Sequence, residues 1–438
     1  MSDPLRKRDP QSEPRRRFVK GAAAAALAGG LSLARSAHAA GSDVVRIALV
    51  GCGGRGTGAA MNALEAAKNI KLVALADAFP HAIETSLRSL QSSYADRVDV
   101  PPERRFHGLD AYQKAIDCRL DVVLLCSPPG FRPSHFEAAV KAGKHAFLEK
   151  PVCVDAPGYR RILAANVEAK RKGLAVAVGH HLRHQVAHKE VVRRIHEGAI
   201  GEVQFQRIYF NSGGVWVRPR QPGQTEMQFQ VNNWYYFTWL SGDHIVEQHV
   251  HDIDVANWIK CDQHPVRANG VGGRQVRIGP QYGEIFDHHS VEFEYADGSR
   301  AFSVCRHMPN TWGAFLEAAH GPLGRAQLEG HGVLYVNGRS PQRWAQGPDG
   351  HQLEMNDLFA ALAAGQPYNE AGYAADSSMT AVLGRMASYS GKVVSWDEAA
   401  RSELDLGPKQ LAWDAEAPVQ PGPGGMYACA IPGQTRAF

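Results

Sequence analysis

The sequence predicts an α/β protein: a doubly wound Rossmann domain with a parallel sheet, then an α+β domain with a largely antiparallel open sheet. Three observations predict it. Through the first half, short apolar runs alternate with helical patterns of ten or more residues, the pattern of βαβ units. The first β-branched run, Val44–Val50, ends in Gly51-Cys52-Gly53-Gly54-Arg55-Gly56, a G-x-G-x-x-G turn that opens a helix. Beyond the helix at Gln185–Glu197 the pattern turns to strands, two of which flank the hairpin turn Ala296-Asp297-Gly298-Ser299.

Taken in order, the glycine turn leads into a helix through about Lys68, a strand at Lys71–Ala76 and a helix from about Pro80. A loop with Pro101-Pro102 precedes the buried strand Leu120–Cys126, which Ser127-Pro128-Pro129 ends. A helix at Pro133–Ala142, a strand at His145–Leu148, a helix at Ala156–Lys172 and a strand at Leu174–Val178 complete the first set. Strands are then expected at Val203–Phe210, Val266–Gly270, Ser290–Tyr295 and Ala301–Arg306, and helices at Glu247–Ile259, Glu354–Ala364 and Tyr373–Ser390. From Pro418 the chain is rich in Pro and Gly and is expected to run extended over the surface. The domain reading is residues 1–39 as a leader, 43–179 as the nucleotide domain, 180–395 as the second domain and 396–438 as a C-terminal extension.

The 438 residues are 44% hydrophobic and 21% charged, which excludes wholesale disorder, collagen and coiled coil. The formal charge of +4 hints at an acidic partner, but its distribution removes the hint. Residues 1–39 carry net +5 and the remainder net −1, so no nucleic-acid surface is expected. The leader reads as an export signal. Arg15-Arg16-Arg17-Phe18-Val19-Lys20 is close to the twin-arginine pattern R-R-x-F-L-K; Gly21–Leu33 is weakly apolar, and Ala37-His38-Ala39 is a small-residue cleavage site. Thirteen residues are too few to span a bilayer, which takes about 20, and no later segment of that length lacks charges. A periplasmic or extracellular destination is expected. Seven cysteines without a C-x-x-C pair argue against a disulfide framework.

The G-x-G-x-x-G turn suits a dinucleotide. Gly51, Gly53, Gly54 and Gly56 permit a tight turn and close backbone approach to a pyrophosphate at the helix N-terminus, beside Arg55. Asp77 ends the second strand 21 residues after Gly56. A carboxylate there accepts bonds from the ribose hydroxyls and repels a 2′-phosphate, favouring NAD over NADP. FAD sites share the glycine fingerprint.

Ala142-Gly143-Lys144-His145-Ala146-Phe147-Leu148-Glu149-Lys150-Pro151 resembles the A-G-K-H-V-x-x-E-K-P signature of the glucose–fructose oxidoreductase, inositol dehydrogenase and MocA (Gfo/Idh/MocA) family. Ser127-Pro128 with His135 resembles its T-P-x-x-x-H segment, Gly179–Arg183 its G-x-x-x-R element, and Gly198–Val203 its G-x-I-G-x-V element. The resemblance covers roughly residues 44–395. It implies a Rossmann domain plus a sheet domain that often supplies the interface of a homo-oligomer, a dimer or tetramer. It also implies NAD contacts at Ser127, Pro128, His135, Glu149, Lys150 and Arg183. Lys150 is expected to bind the reacting hydroxyl and stabilise the alkoxide, with a base to take the proton. The segment Gly242–Asp254 is similar to G-G-x-x-x-D-x-G-x-H-x-x-D; aligned on Trp258, His251 takes the catalytic histidine position, Glu247 the aspartate and His249 a glycine. If helical, residues 244, 247, 251 and 254 share a face. His244, Glu247, His249, His251 and His288-His289 could instead be metal ligands, but they lack the H-E-x-x-H spacing of a zinc helix, and no metal is expected. Trp234, Tyr235 and Tyr236 suit stacking on a sugar, with His249 as a further substrate contact; an aromatic core or subunit interface is the alternative. Arg218, Arg220, Arg274 and Arg277 could bind an acidic or phosphorylated group, with solvated surface arginines as the more usual explanation.

The expectation is an exported NAD-dependent oxidoreductase for a secondary hydroxyl of a sugar or polyol. Outside the cytoplasm its NAD would be tightly bound and internally recycled. The alternatives are a redox-neutral, NAD-dependent glycoside hydrolase and a non-catalytic sugar-binding protein. Intact Lys150 and His251 speak against the last.

Overall fold

The computed structural model describes residues 44–438, so the expected leader lies outside the described residues. The first sheet is six-stranded, in the order β3-β2-β1-β4-β5-β6, and every pairing is parallel. Its elements are β1 (Val45–Val50), α1 (Gly54–Ala66), β2 (Ile70–Asp77), α2 (Pro80–Tyr94), β3 (Arg105–His107), α3 (Ala111–Ile116), β4 (Val122–Leu125), α4 (Arg132–Lys141), β5 (His145–Leu148), α5 (Ala156–Arg171) and β6 (Val176–Val178). The strands are apolar on both faces because helices cover both, so they read as continuous runs. Strand order reverses between β1 and β4, and a doubly wound sheet binds ligands at such a point. The short β3 lies where the sequence pattern suggests only a loop.

Then follow α6 (Val186–His196), β7 (Phe205–Ser212), α7 (Glu226–Asn232), α8 (Thr238–Ser241), α9 (His244–Glu247), α10 (Val250–Ile259), β8 (Arg267–Gly273), β9 (His288–Glu294) and β10 (Arg300–His307). After them come β11 (Ala314–Gly321), β12 (Gly324–Leu328), β13 (Gly332–Val336), β14 (Gln342–Trp344), α11 (Gly350–Ala363), α12 (Ala371–Ser390), β15 (Val394–Ser395) and α13 (Trp396–Arg401). The second sheet has nine strands, β14-β13-β12-β11-β7-β10-β9-β8-β15, antiparallel except for the parallel pair β7 and β10. The α/β class with a largely antiparallel second sheet is therefore as expected, with β11–β15 added.

Two helices bring late sequence back to the first sheet. α11 sends Met355, Leu358 and Phe359 into the same apolar core as Leu49, Leu64 and Leu124. α12 lies between α5 and the second sheet and is almost wholly buried; its small residues permit this, and Gly384 leaves no room for a Cβ against Phe293.

Two expectations fail. The helix Glu247–Ile259 is broken. The amide of His249 donates to the His244 carbonyl, a wide turn that separates α9 from α10, so residues 244 and 247 do not share a helix face with 251 and 254. The tail does not simply lie on the surface either. Tyr427 is 2% exposed, packs edge-on to Phe237 and donates to Glu226 at 2.6 Å, while Trp413 packs on Phe79.

Candidate active site

A cleft of about 230 Å³ opens at the switch point, lined by Gly51, Gly53, Gly54, Arg55, Gly56, Asp77, Ser127, Pro128 and His135 among others. Each end of the glycine turn is fixed by packing. Gly51 has φ +97°, and a Cβ there would sit 2.5 Å from the backbone of Cys126 and Ser127; one on Gly56 would strike the Gly51 carbonyl. Gly53 and Gly54 differ, for a Cβ on either meets nothing within 4 Å. They border open cleft, at the uncapped N-terminus of α1. Free first-turn amides and the helix dipole make that end an anion site. Asp77 closes the turn: its Oδ2 accepts from the Cys52 amide at 2.7 Å and its Oδ1 from Phe79 at 2.9 Å. Burial raises its pKa. The residues thus fit a dinucleotide: a small-residue cradle for a diphosphate, and a carboxylate at the end of β2. Ser127 Oγ lies 3.0 Å from His135 Nδ1, and burial followed by Arg132 pushes His135 down to about 3, so its ring is neutral.

At the end of β5, Glu149 pairs with Arg55 at 2.6 Å, tying the glycine turn to the E-K-P segment. Burial alone would raise the Glu149 pKa; Arg55, Lys150 and Arg132 outweigh it and hold the carboxyl below its ordinary range. Lys150, before the cis bond to Pro151, reaches α9, where its Nζ donates to the Glu247 carbonyl at 2.6 Å and to Glu247 Oε1 at 3.1 Å. Both side chains are 11% exposed. Burial raises the Glu247 carboxyl against the pull of Lys150. His251, on the first turn of α10, is held well below the usual histidine range by burial, then by Lys150 and His181. Its Nδ1 is buried without a partner. The geometry thus unites Lys150, Glu247 and His251.

Other expected site residues lie elsewhere. Arg183 is committed away from the cleft: it forks onto Asp254 at 2.7 and 2.9 Å, reaches Asp262 at 2.8 Å and lies over the Tyr373 ring. With Nε and Nη2 paired to Asp254 and Asp262, this guanidinium ties its own turn to α10 and its end rather than reaching the cleft. His249 is 0% exposed, with Nδ1 3.2 Å from Asp252 and Nε2 2.8 Å from Ser303, so both ring nitrogens are used internally. Trp234 lines the cleft, whereas Tyr235 and Tyr236 sit in an aromatic core and Tyr236 donates to the Val215 and Trp216 carbonyls. The Tyr235 hydroxyl is buried without a partner. Asp243, His244 and His289 place ligand atoms within 4.8 Å of one another. Asp243 is nonetheless already an acceptor for His244 Nδ1, Phe286 N and Tyr389 Oη at 2.7, 2.9 and 2.6 Å.

Several site residues escaped the sequence pattern. Glu354 on α11 is fully buried beside Arg55 and Glu149, and burial, then Glu149, raises its carboxyl well above the ordinary range. His181 packs edge-on to His251 and stacks on His351 at 4.0 Å. Asp243 stands at φ +75°, where the family pattern has its second glycine. That substitution was the available signal, since a non-glycine residue there must be held by its surroundings.

Residues 45–180 match the oxidoreductase family with an NAD-binding Rossmann fold, Gfo/Idh/MocA. This stretch is similar to that family's nucleotide domain. Its fold is the NAD-binding Rossmann fold, and its glycine cradle suits that cofactor. Inositol 2-dehydrogenase of Rhizobium meliloti (strain 1021) is 28% identical over 59% of this chain and 67% of its own length. A scyllo-inositol 2-dehydrogenase (NADP(+)) of Bacillus subtilis (strain 168) is 24% identical over 46% of this chain and 54% of its own length. The chain thus spans about half to two thirds of the curated relatives it matches. Among solved structures, aldose–aldose oxidoreductase of Caulobacter crescentus, complexed with glycerol, superposes with a TM-score of 0.64 at 19% identity, over 80% of this chain and 99% of its own. That likeness is one of fold. No helix among the described residues is long and apolar enough to cross a membrane.

Proposed function

We propose that the protein is an NAD-dependent oxidoreductase acting on a secondary hydroxyl of a sugar or polyol. The observation that carries this is the buried Lys150–Glu247 pair beside a neutral His251, at the carboxyl edge of a dinucleotide-binding sheet. The sugar and polyol enzymes among the similar proteins support the substrate class. Bound NAD supplies the hydride acceptor. As the carbinol hydrogen leaves with its electron pair, the hydroxyl must lose a proton. An ammonium has three donors. Two of those on Lys150 go to Glu247, leaving one to bind the reacting oxygen and favour the alkoxide. His251, neutral and unpartnered at Nδ1, takes the proton, and Glu247, its carboxyl raised by burial, is placed to share that role.

The leader supports export by the twin-arginine route, with NAD held tightly and recycled within each cycle; fractionation of a form with Arg15 and Arg16 changed to Lys checks it. The outer sheet face exposes Phe302, with Trp312 packed on Tyr209 beside it, which supports a homo-oligomer, read by sedimentation. The redox-neutral glycoside hydrolase keeps one supporting observation, that Glu247 and His251 together offer two proton-transfer groups. His249 offers it none.

The deciding experiment identifies the nucleotide released from purified protein, then supplies polyols, monosaccharides and aryl glycosides. Reduced nicotinamide on adding a polyol or sugar is expected; aglycone release without it would replace the dehydrogenase by the hydrolase. Lys150→Ala and His251→Ala should each lower the rate about 10²–10⁴-fold with nucleotide still bound. Full activity in either variant removes that residue from the mechanism.

A further inference from the structure

The nucleotide cleft has lining residues that the family motifs do not account for. Besides the glycine turn and the ends of β2 and β4, it is lined by Trp216, Arg218, Val231 and Trp234, all from the second domain. Trp216 and Arg218 lie on the connection between β7 and α7. Trp216 is 40% exposed and faces the cleft. It is held edge-on by Trp234 at 5.7 Å and by Tyr235 at 6.1 Å, and the Arg218 guanidinium lies 4.3 Å over its ring. The arginine's position is fixed from below: its amide donates to Asn233 Oδ1 at 2.9 Å, and its Nη1 to the Asn232 carbonyl at 2.9 Å.

Charge gives this arrangement a purpose. A dinucleotide brings two negative charges on its diphosphate, and two guanidiniums line the cleft. Arg55 is already neutralised by Glu149 at 2.6 Å. Arg218 has no carboxylate within ion-pair distance among the described residues; Asp77, with which it interacts electrostatically across the cleft, is the acid it faces. Among the described residues Arg218 is therefore the cleft's guanidinium without a carboxylate partner.

We propose that Trp216 and Arg218 are cofactor-binding residues: a clasp from the second domain that supplies the cation for the diphosphate and an aromatic face for the dinucleotide, and so slows its release. This rests on the NAD reading above and names the residues that make binding tight. The clasp is built before the ligand arrives, because cation–π contact and the two aromatic neighbours order it in advance.

The test measures release of NADH from the full-length protein by stopped flow, exciting the nicotinamide directly and displacing it with excess NAD. Arg218→Ala and Trp216→Ala should each speed release about 10-fold, the scale of one charge-assisted bond or one stacked ring. Arg218→Lys and Trp216→Phe should recover part of the loss, and thermal melting without nucleotide should leave all four near wild type. Release from the wild type should quicken with added salt and lose that dependence in Arg218→Ala, an outcome that loop disorder alone does not produce. Wild-type release rates in Arg218→Ala and Trp216→Ala overturn the clasp while leaving the NAD reading intact. Failure of the wild type to bind NADH overturns both.

Discussion

Gly51 and Asp243 hold the same kind of backbone by opposite means. Both take positive φ, +97° and +75°, and each sets a turn that presents reactive groups. At Gly51 the turn exists because a side chain is missing, and Cys126 and Ser127 fill the space a Cβ would need. At Asp243 a side chain pays for the strain by accepting from His244, Phe286 and Tyr389. The nucleotide half is thus built on steric exclusion and the second half on buried electrostatics, and the two should fail differently.

Gly51→Ala should give the largest effect. A Cβ overlapping backbone at 2.5 Å, at a φ that alanine avoids, should cost about 4 kcal/mol and abolish NAD binding, seen as a lowered denaturation midpoint and a flat titration. Gly53→Ala sharpens the point. With nothing within 4 Å of its Cβ, stability should stay within about 0.5 kcal/mol while NAD affinity falls, because the methyl group enters the cradle. Equal NAD affinity in Gly53→Ala and wild type would show that the cradle is not where the diphosphate lies.

Asp243→Asn comes next. Removing the charge leaves His244 Nδ1, the Phe286 amide and the Tyr389 hydroxyl facing an amide that must present its own donors to one of them. The cost should be about 3 kcal/mol by chemical denaturation. Asp243→Gly relieves the φ strain and should recover part of it. An Asn variant as stable as wild type would mean that the network does not hold this turn.

The same contrast explains what could be read from the chain. β1, β2, β4, β5 and the glycine turn were legible because a buried parallel strand and a sterically forced turn each leave a local pattern. β11 and β12 were not: Ala314–Gly321 and Gly324–Leu328 are rich in Ala, Leu, Glu and Gln, which are helix formers, and only pairing with β7 and β13 makes them strands. Arg183 was misread because its partner Asp254 lies 71 residues away and nothing near it in sequence shows that its guanidinium is already bound. Lys150, Glu247 and His251 came from linked motifs and did converge. Trp216 and Arg218 belong to no motif, and only the fold carries them to the cleft.

The smallest effect concerns acid. Burial, then His244 and His289, brings His249 down to about 3, and burial brings His244 down to about 4, against an ordinary value near 6.5. A histidine neutral when folded binds its proton only on unfolding. The unfolded state therefore gains as pH falls below about 6.5, and stability is lost progressively until the folded pKa is reached. For His249 alone the loss at pH 5 is about 2 kcal/mol, from 1.36 kcal/mol per unit over roughly one and a half units. Asp243 acts lower on the scale: its folded carboxyl is held well below the ordinary range, so its contribution is intact above about pH 4 and fades beneath it. His249→Gln should cost about 1 kcal/mol at pH 7 for a weakened bond to Ser303, yet close that gap by pH 5. Denaturation at the two pH values reads the difference directly. If the variant keeps the wild-type slope, His249 is protonated in the folded protein and the second domain's acid sensitivity has another source.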